Sequence, residues 1–375
     1  MLAVAAVWAD DVVTADDRRL PEPAGPYVGL RESDFATATS FGPDDRIVMT
    51  HYFYWYDVAS GAHVVDADGS DALTTHPAVM TDFSYRSVTW HKRQLVDMIA
   101  AGIDVVLPVY WGAPSERDPG AALHWSFAGL GPLVEAADEL VREGRRPPRI
   151  GLFYDTTTLQ HNAWGVHADL TTDFGRRWFY ASVRDFFSLI PPRHWALVEG
   201  RPIVDLYAAG FAAAHDQRVI DHLHEQFAED FGSRVPYVIR ETSWNVRADS
   251  AYTWGGAIRA NVRGIGEVGP GYDHSAVPGR DPLVVPRDGG RHYEQGWLTV
   301  LRRSPRIVAV ETWNEFHEGT DVAESREHGR RYIDLAWFGN PDPADMKVYC
   351  PTGKETFDDE TTEEAPSRGD GCEAA

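Results

Sequence analysis

The sequence predicts an α/β fold, a (β/α)8 TIM barrel, and three observations lead to this prediction. From residue 46 onward, eight short segments rich in β-forming residues alternate with longer segments of helical period. Eight strands are the number that closes such a barrel, and aromatic and polar residues recur where these strands end. We expect one barrel domain at residues 44–340, an N-terminal extension at residues 1–43, and an acidic tail at residues 341–375 whose composition predicts disorder.

The predicted elements follow one another along the chain. The strands are expected at residues 47–54, 104–110, 150–154, 202–207, 237–242, 251–254, 264–269 and 307–312. Apolar side chains at helical spacing predict helices at residues 88–101, 132–143, 172–189, 216–231 and 293–303. A glycine follows three of these helices, at Gly102, Gly144 and Gly232, as is typical of a helix end.

Composition restricts the kind of partner. The 375 residues carry 57 acidic and 35 basic side chains, and the net charge of −22 disfavours nucleic acid and anionic membrane surfaces. No stretch approaches the roughly 18 apolar residues that span a bilayer. The 13 Trp residues suit a cleft that binds sugar rings, although most Trp side chains in any protein pack in the core. We therefore expect a carbohydrate substrate, no nucleic acid and no membrane insertion, and the oligomeric state stays open.

The cysteines bear on localisation. Cys350 and Cys372 both lie in the tail. A bond between them would close a tail loop and indicate an oxidising compartment, whereas two free thiols are the alternative. The apolar start at residues 1–8 lacks a basic segment and is too short for a signal peptide. The position of the two cysteines therefore favours a secreted or cell-surface protein over a cytoplasmic one, although no intact signal peptide is visible.

Candidate sugar-binding residues stand where the predicted strands end. Aromatic rings offer stacking faces, and carboxylate, amide and imidazole groups bond to hydroxyls. Two of the aspartates equally suit the capping of a following turn. The predicted substrate-binding residues are His51, Tyr52, Tyr54, Trp55, Tyr110, Trp111, Asp155, Glu241, Trp244, Tyr272, Asp273, Trp313, Asn314 and His317.

No pattern calls for a cofactor or a metal. The glycine-rich segment Gly264-Ile-Gly-Glu-Val-Gly269 leads into Pro270, not into the helix that a dinucleotide site needs. No H-E-x-x-H spacing occurs, and His222 and His224 lie two apart on a predicted helix, where their side chains diverge. We therefore expect neither an organic cofactor nor a metal.

The segment after the eighth strand carries the sharpest chemical signal. Glu315 and Glu318 stand three residues apart just beyond that strand, so both side chains can face one cavity. Glycoside hydrolysis needs one carboxylic acid and one carboxylate, and a shared water-poor cleft pushes the pKa values of such a pair apart. Glu311, inside the strand, is expected to be a supporting residue.

The same segment carries a family resemblance. Thr312-Trp-Asn-Glu-Phe-His-Glu-Gly-Thr320, followed by Glu324 and Ser325, resembles the W-N-E-W-H-E-G-T motif of the endo-α-mannosidases and related glycosidases of families 99 and 71. Weaker similarities occur in His51-Tyr-Phe-Tyr-Trp55, in Gly102-Ile-Asp-Val-Val106 and in Gly269-Pro-Gly-Tyr-Asp273. The resemblance covers residues 46–335 and implies a barrel glycoside hydrolase. Some bacterial proteins that share the motif are labelled as glycosyltransferases of polysaccharide biosynthesis.

The resemblance also implies how the work is divided. Glu318 would be the general acid/base, and Glu315 would be the base that takes a proton from the sugar's own 2-hydroxyl in a retaining reaction. Phe316 replaces the second Trp of the motif, which predicts altered stacking or subsite shape.

Three other functions compete with hydrolysis. A non-catalytic carbohydrate-binding or polysaccharide-assembly barrel would not need an acid beside a base. A glycosyltransferase would need a diphosphate site, and Asp66-Ala-Asp68 follows no suitable element. A metal-dependent hydrolase is the least favoured.

Overall fold

The computed structural model of the chain describes residues 19–337. The predicted acidic tail with its two cysteines, and the first 18 residues of the predicted extension, lie outside this range. Within it, no helix is long and apolar enough to cross a membrane.

Eight parallel strands form the barrel. Each strand from β1 to β5 pairs with the next along the chain, and β8 pairs with both β7 and β1. Between β6 and β7 the Ile265 N–H donates to the Ala251 carbonyl at 3.1 Å, which closes the sheet. The predicted barrel and its eight strands are confirmed. The strands are β1 (Ile47–Tyr52), β2 (Val105–Tyr110), β3 (Arg149–Ile150 and Leu152–Tyr154), β4 (Arg201–Leu206), β5 (Tyr237–Glu241), β6 (Ser250–Tyr252), β7 (Gly266–Val268) and β8 (Ile307–Val310).

Six α-helices surround this sheet. The five predicted helices are confirmed, and a sixth, which the sequence did not indicate, follows β8. Within residues 19–337, no α-helix follows β5 or β6, so the regular alternation is interrupted there. The helices are α1 (Val88–Ala100), α2 (Leu130–Arg142), α3 (Asp173–Leu189), α4 (Arg218–Asp230), α5 (Arg291–Leu301) and α6 (Arg331–Trp337).

Local sequence sets the ends of these helices. At the start of α1, Ser87 Oγ accepts the Trp90 N–H at 3.1 Å, which satisfies one of the free donors of the first turn. After α1, Gly102 has φ of +73°, a conformation that a residue without Cβ adopts at little cost. The chain therefore reverses directly into β2.

Short elements complete the described fold. Brief strands lie at Ser40–Phe41, Leu197–Val198, Asn261–Val262, Tyr272–Asp273 and Val284–Val285. A one-turn α-helix lies at Trp125–Ala128, and 3-10 helices lie at Glu32–Phe35, Pro114–Glu116, Thr156–Leu159, Pro192–His194, Ala209–Phe211 and Asp288–Gly290.

Every residue of β1, β2 and β8 is buried, because one face of each strand meets the barrel interior and the other meets the helices. Side chains therefore alternate between these two environments. On β1, His51 packs on Phe153 inside the barrel, with ring centroids 4.5 Å apart. The neighbouring Tyr52 faces α1, where its hydroxyl bonds to His91 Nδ1 at 2.9 Å.

Candidate active site

A pocket of about 630 Å³ opens beyond the C-terminal ends of the barrel strands. Residues in or after every barrel strand except β5 line it. Parallel strands end at one rim, so side chains from distant parts of the sequence meet there. Seven of the predicted site residues line this pocket: Glu315, Glu318, Trp55, Trp111, Asp155, Tyr272 and His317.

The loop after β8 is held to the end of β1 by Asn314. Its amide group donates to the Phe53 carbonyl at 2.7 Å and accepts from the Phe53 N–H at 2.8 Å. The Tyr56 hydroxyl donates to the Asn314 carbonyl at 3.0 Å and accepts the Phe316 N–H at 3.1 Å. These bonds fix the backbone on both sides of Glu315.

Glu315 and His317 form a buried pair in this loop. Glu315 Oε1 accepts the backbone N–H of His317 at 3.0 Å and lies 2.7 Å from His317 Nδ1. Glu315 Oε2 is buried with no hydrogen-bond partner among the described residues. The carboxyl group is therefore held from one side and has a free oxygen.

Burial and charge act in opposite directions on this pair. Burial raises the pKa of Glu315 above its ordinary value, and the charge of His317 only partly offsets this effect. Burial opposes a charge on His317, but the Glu315 carboxylate outweighs it, so the pKa of His317 is raised. The pair thus keeps a proton to higher pH than either group would alone.

Glu318 lines the same pocket and forms an ion pair. Arg280 Nη1 donates to Glu318 Oε1 at 2.5 Å, and the Glu318 backbone carbonyl accepts the Asp273 N–H at 2.8 Å. Burial and the nearby charge of Glu318 raise the pKa of Tyr272. Arg280 and Tyr272 therefore surround the carboxyl group of Glu318.

Aromatic rings form the wall beside Glu315. The Trp55 ring stacks on His63 with centroids 4.5 Å apart and planes 2° apart, and it contacts Trp111 and His317 edge-on at 5.6 Å. Burial, with help from the charge of His317, lowers the pKa of His63 to about 4, so this imidazole is neutral near pH 7. Flat apolar faces of this kind suit the stacking of a sugar ring.

The opposite part of the pocket combines carboxylates with a second aromatic group. Phe153, Tyr207 and Trp254 contact one another, with centroids 5.2–5.8 Å apart. Beside them, Glu311 Oε2 accepts the Gly255 and Gly256 N–H groups at 2.7 and 2.8 Å.

The Gly256 bond to Glu311 depends on the absence of a side chain at this position. A Cβ at position 256 would lie 2.7 Å from the Val268 nitrogen, so only glycine can occupy it and donate its N–H to Glu311.

A layer of ionisable side chains lies inside the barrel. His51 Nε2 lies 3.4 Å from Asp205 Oδ2, and both side chains are fully buried. Burial and the charges of Glu311 and Asp205 raise the pKa of Glu267 well above its ordinary value. Both Glu267 oxygens lack a hydrogen-bond partner in the described part of the chain. Burial and the neighbouring carboxyl groups thus both oppose a negative charge on Glu267.

Nine of the predicted sugar-binding residues do not line the pocket: His51, Tyr52, Tyr54, Tyr110, Glu241, Trp244, Asp273, Trp313 and Asn314. Successive side chains of a strand point to opposite faces of the sheet, and the three tyrosines of this set point to the face that meets the helices. The Tyr54 hydroxyl donates to the Ser126 carbonyl at 2.6 Å, and Tyr110 packs edge-on to Phe127 and Phe186. The prediction placed them in the site because strand ends alone do not reveal which face a side chain takes.

Three more of the residues outside the pocket lining form hydrogen bonds within the protein. Glu241 accepts the Ser243 N–H at 2.6 Å, and Asp273 accepts the Ser275 N–H at 2.9 Å, so both cap turns. The Trp244 indole N–H donates to a backbone carbonyl within the core.

Two residues of the motif itself also lie under the pocket. The Trp313 indole N–H donates to Gln94 Oε1 at 2.7 Å. Phe316 packs on Tyr56 and Phe83 and does not line the pocket, so it offers no stacking face there, and an effect on subsite shape stays a prediction.

Sequence reasoning missed several pocket residues. Phe153, Tyr207 and Trp254 end predicted strands and could have been chosen on that ground. His63, Asp66 and Arg280 come from long loops and carry no local signal. Glu311 was expected only as a supporting residue, yet it lines the pocket. Over residues 19–337, no cluster of His, Cys, Asp or Glu has the arrangement to hold a metal ion.

Comparison with known proteins places the chain among related folds. A family model described as a domain of unknown function, DUF5010, matches residues 32–342. Among solved structures, the family 99 endo-α-mannosidase of Bacteroides thetaiotaomicron, in complex with Bis-Tris propane, superposes with a TM-score of 0.54. The identity is 13%, over 79% of this chain and 96% of that one. A glycoside hydrolase-like protein gives a TM-score of 0.60 at 14% identity, over 84% and 98% of the two chains.

Two mouse proteins match over shorter stretches. Glycoprotein endo-α-1,2-mannosidase is 35% identical over 66 residues, 17% of this chain and 14% of the relative. A glycoprotein endo-α-1,2-mannosidase-like protein is 30% identical over 133 residues, 34% of this chain and 25% of the relative. The match thus spans a quarter or less of these relatives. Together, these likenesses confirm the barrel fold and the resemblance to family 99.

Proposed function

The chain belongs to the DUF5010 family, a domain of unknown function, and we propose that it is a retaining glycoside hydrolase acting on a poly- or oligosaccharide. One observation carries the proposal: Glu315 and Glu318, from one loop, line the same pocket, and Glu315 keeps an unpartnered oxygen there. The relatives and the solved structures named above are endo-α-mannosidases or hydrolase-like, which supports this class of reaction. The sugar and the linkage are left to experiment.

In the proposed reaction the first step is internal to the sugar. Glu315 Oε2 takes the proton of the 2-hydroxyl, whose oxygen then bonds to the anomeric carbon. The glycosidic carbon–oxygen bond breaks at the same time, and Glu318 gives its proton to the leaving oxygen. Water next attacks the anomeric carbon while Glu318 takes one of its protons. The bond between the anomeric carbon and the 2-oxygen breaks in this step, and Glu315 returns its proton to the freed 2-oxygen. Two inversions leave the configuration unchanged.

The surroundings of the two carboxyl groups support these roles. His317 holds Oε1 of Glu315, so Oε2 is the oxygen left to act as base. An acid at position 318 must present a protonated oxygen to the glycosidic oxygen, whereas the Arg280 guanidinium holds the Glu318 carboxyl group in an ion pair. The mechanism therefore requires the Arg280–Glu318 ion pair to open when the glycan binds.

The same ion pair favours a second candidate function, a non-catalytic carbohydrate-binding or polysaccharide-assembly barrel. A carboxylate locked by arginine can accept hydroxyl bonds without any proton transfer. The aromatic wall of Trp55, His63 and Trp111 would serve such a protein equally well.

A glycan panel tests the two candidates. Mannans, glucans, galactans, arabinans and bacterial exopolysaccharides are incubated with the wild type and with the Glu315→Gln/Glu318→Gln double variant, and reducing ends are measured. Release by the wild type alone supports hydrolysis by this pair. Release by both proteins removes the pair from the chemistry. Release by neither, with calorimetric binding of a glycan by both, selects the binding barrel.

A further inference from the structure

The lining of the pocket has an unusual charge balance. Five carboxylates face it, from Asp66, Asp155, Glu311, Glu315 and Glu318. The cationic candidates in the same lining are Arg280, His63 and His317. Arg280 is paired with Glu318, His317 is paired with Glu315, and the low pKa of His63 leaves that imidazole neutral. The pocket therefore carries an excess of negative charge.

Asp155 and Glu311 are the two buried carboxyl groups of this lining that have no cationic partner among the described residues. Asp155 is 7% exposed and Glu311 is 2% exposed, and within residues 19–337 neither forms an ion pair. Burial raises the pKa of both carboxyl groups, because the N–H groups that bond to them only partly offset the loss of water. Buried carboxylates without a counter-charge cost free energy that a bound cation would recover.

The two carboxyl groups share the pocket with an aromatic group. Glu311 Oε2 accepts the N–H of Gly255, the residue after Trp254. Asp155 lies two residues after Phe153, whose ring contacts both Trp254 and Tyr207. The negative charges of both carboxyl groups, after burial, contribute to the raised pKa of the Tyr207 hydroxyl. Tyr207 contacts Trp254 edge-on at 5.2 Å. Carboxylates beside electron-rich rings form the kind of site that binds an ammonium group.

A second and independent feature also points to a ligand in this cavity. Glu315 is 3% exposed and lines the pocket, and its Oε2 has no hydrogen-bond partner in the described part of the chain. A buried polar atom of this kind normally has a partner, so its free position indicates that a ligand group completes it.

We propose that the glycan bound here carries a protonated amino group, as an unacetylated amino sugar does, and that Asp155 and Glu311 bind that ammonium beside Tyr207 and Trp254. The inference rests on the proposed function, because it names the substrate class of that same pocket. The proposed reaction uses the 2-hydroxyl of the sugar whose bond breaks. The amino group therefore belongs to a neighbouring unit of the glycan.

Calorimetry with small probes tests the charge preference. Glucosamine, galactosamine and mannosamine are each compared with their N-acetyl and 2-hydroxyl counterparts at about pH 6, where the amines are protonated. At least one amine should bind about tenfold more tightly than both of its neutral counterparts, since an ammonium gains charge-assisted bonds that they lack. Equal affinities, or no binding of any amine at millimolar concentration, would overturn the proposal.

Variants locate the preference. Asp155→Asn/Glu311→Gln keeps the size of both side chains and should bring amine affinity down to that of the neutral sugars. Asp169→Asn is the matched control, because Asp169 also accepts an N–H two residues along the chain, at 2.9 Å, but lies outside the pocket. A preference that survives in the double variant would contradict the assignment. The wild-type comparison needs no variant, so misfolding of the double variant leaves the test intact.

The glycan panel separates this inference from the proposed function. Cleavage of a glycan without amino groups, with no amine preference, would keep the hydrolase and overturn the amino-sugar inference. Selective amine binding with no glycan cleaved would overturn the hydrolase while the cation site stands.

Discussion

His317 donates to Glu315 twice, from its backbone N–H at 3.0 Å and from its imidazole side, where Nδ1 lies 2.7 Å from Oε1. Both contacts involve the same carboxylate oxygen, so the other oxygen is left for chemistry. The partners stand only two positions apart, which means that the loop after β8 brings its own orienting group with the base. Changes at His317 should therefore affect proton transfer more than folding.

Acidic pH should lower the activity. Because burial raises the pKa of Glu315, the base takes up a proton at a pH above the ordinary glutamate value of 4.5. In a pH series of kcat/KM, the acidic limb should have its midpoint above 4.5. A flat profile from about pH 4 to about pH 8 would contradict a carboxylate base.

Replacing the proposed acid should make the rate depend on the leaving group. Glu318→Gln cannot protonate the glycosidic oxygen, so hydrolysis of substrates with poor leaving groups should fall by roughly 10²–10⁴. Activated aryl glycosides, which leave without a proton, should lose much less. Equal losses on both kinds of substrate would contradict the acid role. If Glu315→Gln were the variant that spared aryl glycosides, the two roles would have to be exchanged.

Removing Arg280 should raise the rate of hydrolysis. The proposed reaction requires the 2.5 Å Arg280–Glu318 ion pair to open before Glu318 can act on the leaving oxygen. In Arg280→Gln no ion pair has to open, so kcat/KM should rise by up to about fivefold, which corresponds to an ion pair worth about 1 kcal/mol. Arg259→Gln, whose side chain lines no part of this pocket, is the control. A fall of kcat/KM in Arg280→Gln would mean that Arg280 assists the reaction directly.

Loss of the Asn314 side chain should cost both stability and activity. Asn314→Ala removes two bonds, of 2.7 and 2.8 Å, and leaves buried backbone groups of Phe53 without partners, at a cost of about 1–3 kcal/mol each. Urea unfolding measures the stability, and kcat measures the placement of Glu315. Asn162 makes similar backbone bonds away from the pocket. Asn162→Ala should lower stability without lowering kcat, and equal loss of kcat in both variants would count against a positioning role.

Replacing Glu267 should raise stability at high pH. The pKa of Glu267 is higher in the folded chain than its ordinary value of 4.5, so the folded state keeps a proton that the unfolded state releases. Above pH 4.5, and until the folded pKa is reached, this difference removes about 1.4 kcal/mol of unfolding free energy per pH unit. Glu267→Gln does not titrate and should be spared this loss.

Urea unfolding of the wild type and Glu267→Gln at pH values from about 4 to about 9 checks this expectation. The difference between the two proteins should grow with pH. A difference that stays constant would mean that Glu267 ionises in the fold as easily as in the unfolded chain.

Site residues could be predicted where they lie together in one short sequence motif or at the end of a strand. Glu315, Glu318 and His317 follow one strand within a short motif, and the structure brings all three to the pocket. Trp55, Trp111, Asp155 and Tyr272 were found because they directly follow strands at the C-terminal rim. Tyr52 and Tyr54 satisfy the same rule, yet they face the helices, since only the alternation of the pleat decides the face.

By itself, the sequence determined the barrel, because the alternation of strand and helix periods and the glycines after helices are local signals that need no distant partner. It also determined which loop carries the two proposed catalytic carboxylates. Tertiary structure alone decided that Arg280 pairs with Glu318, that Glu311 reaches the pocket, and that Glu267 lies buried beside it. These relationships depend on strand register and on the path of long loops, and closure of the barrel is what brings such distant residues within bonding range.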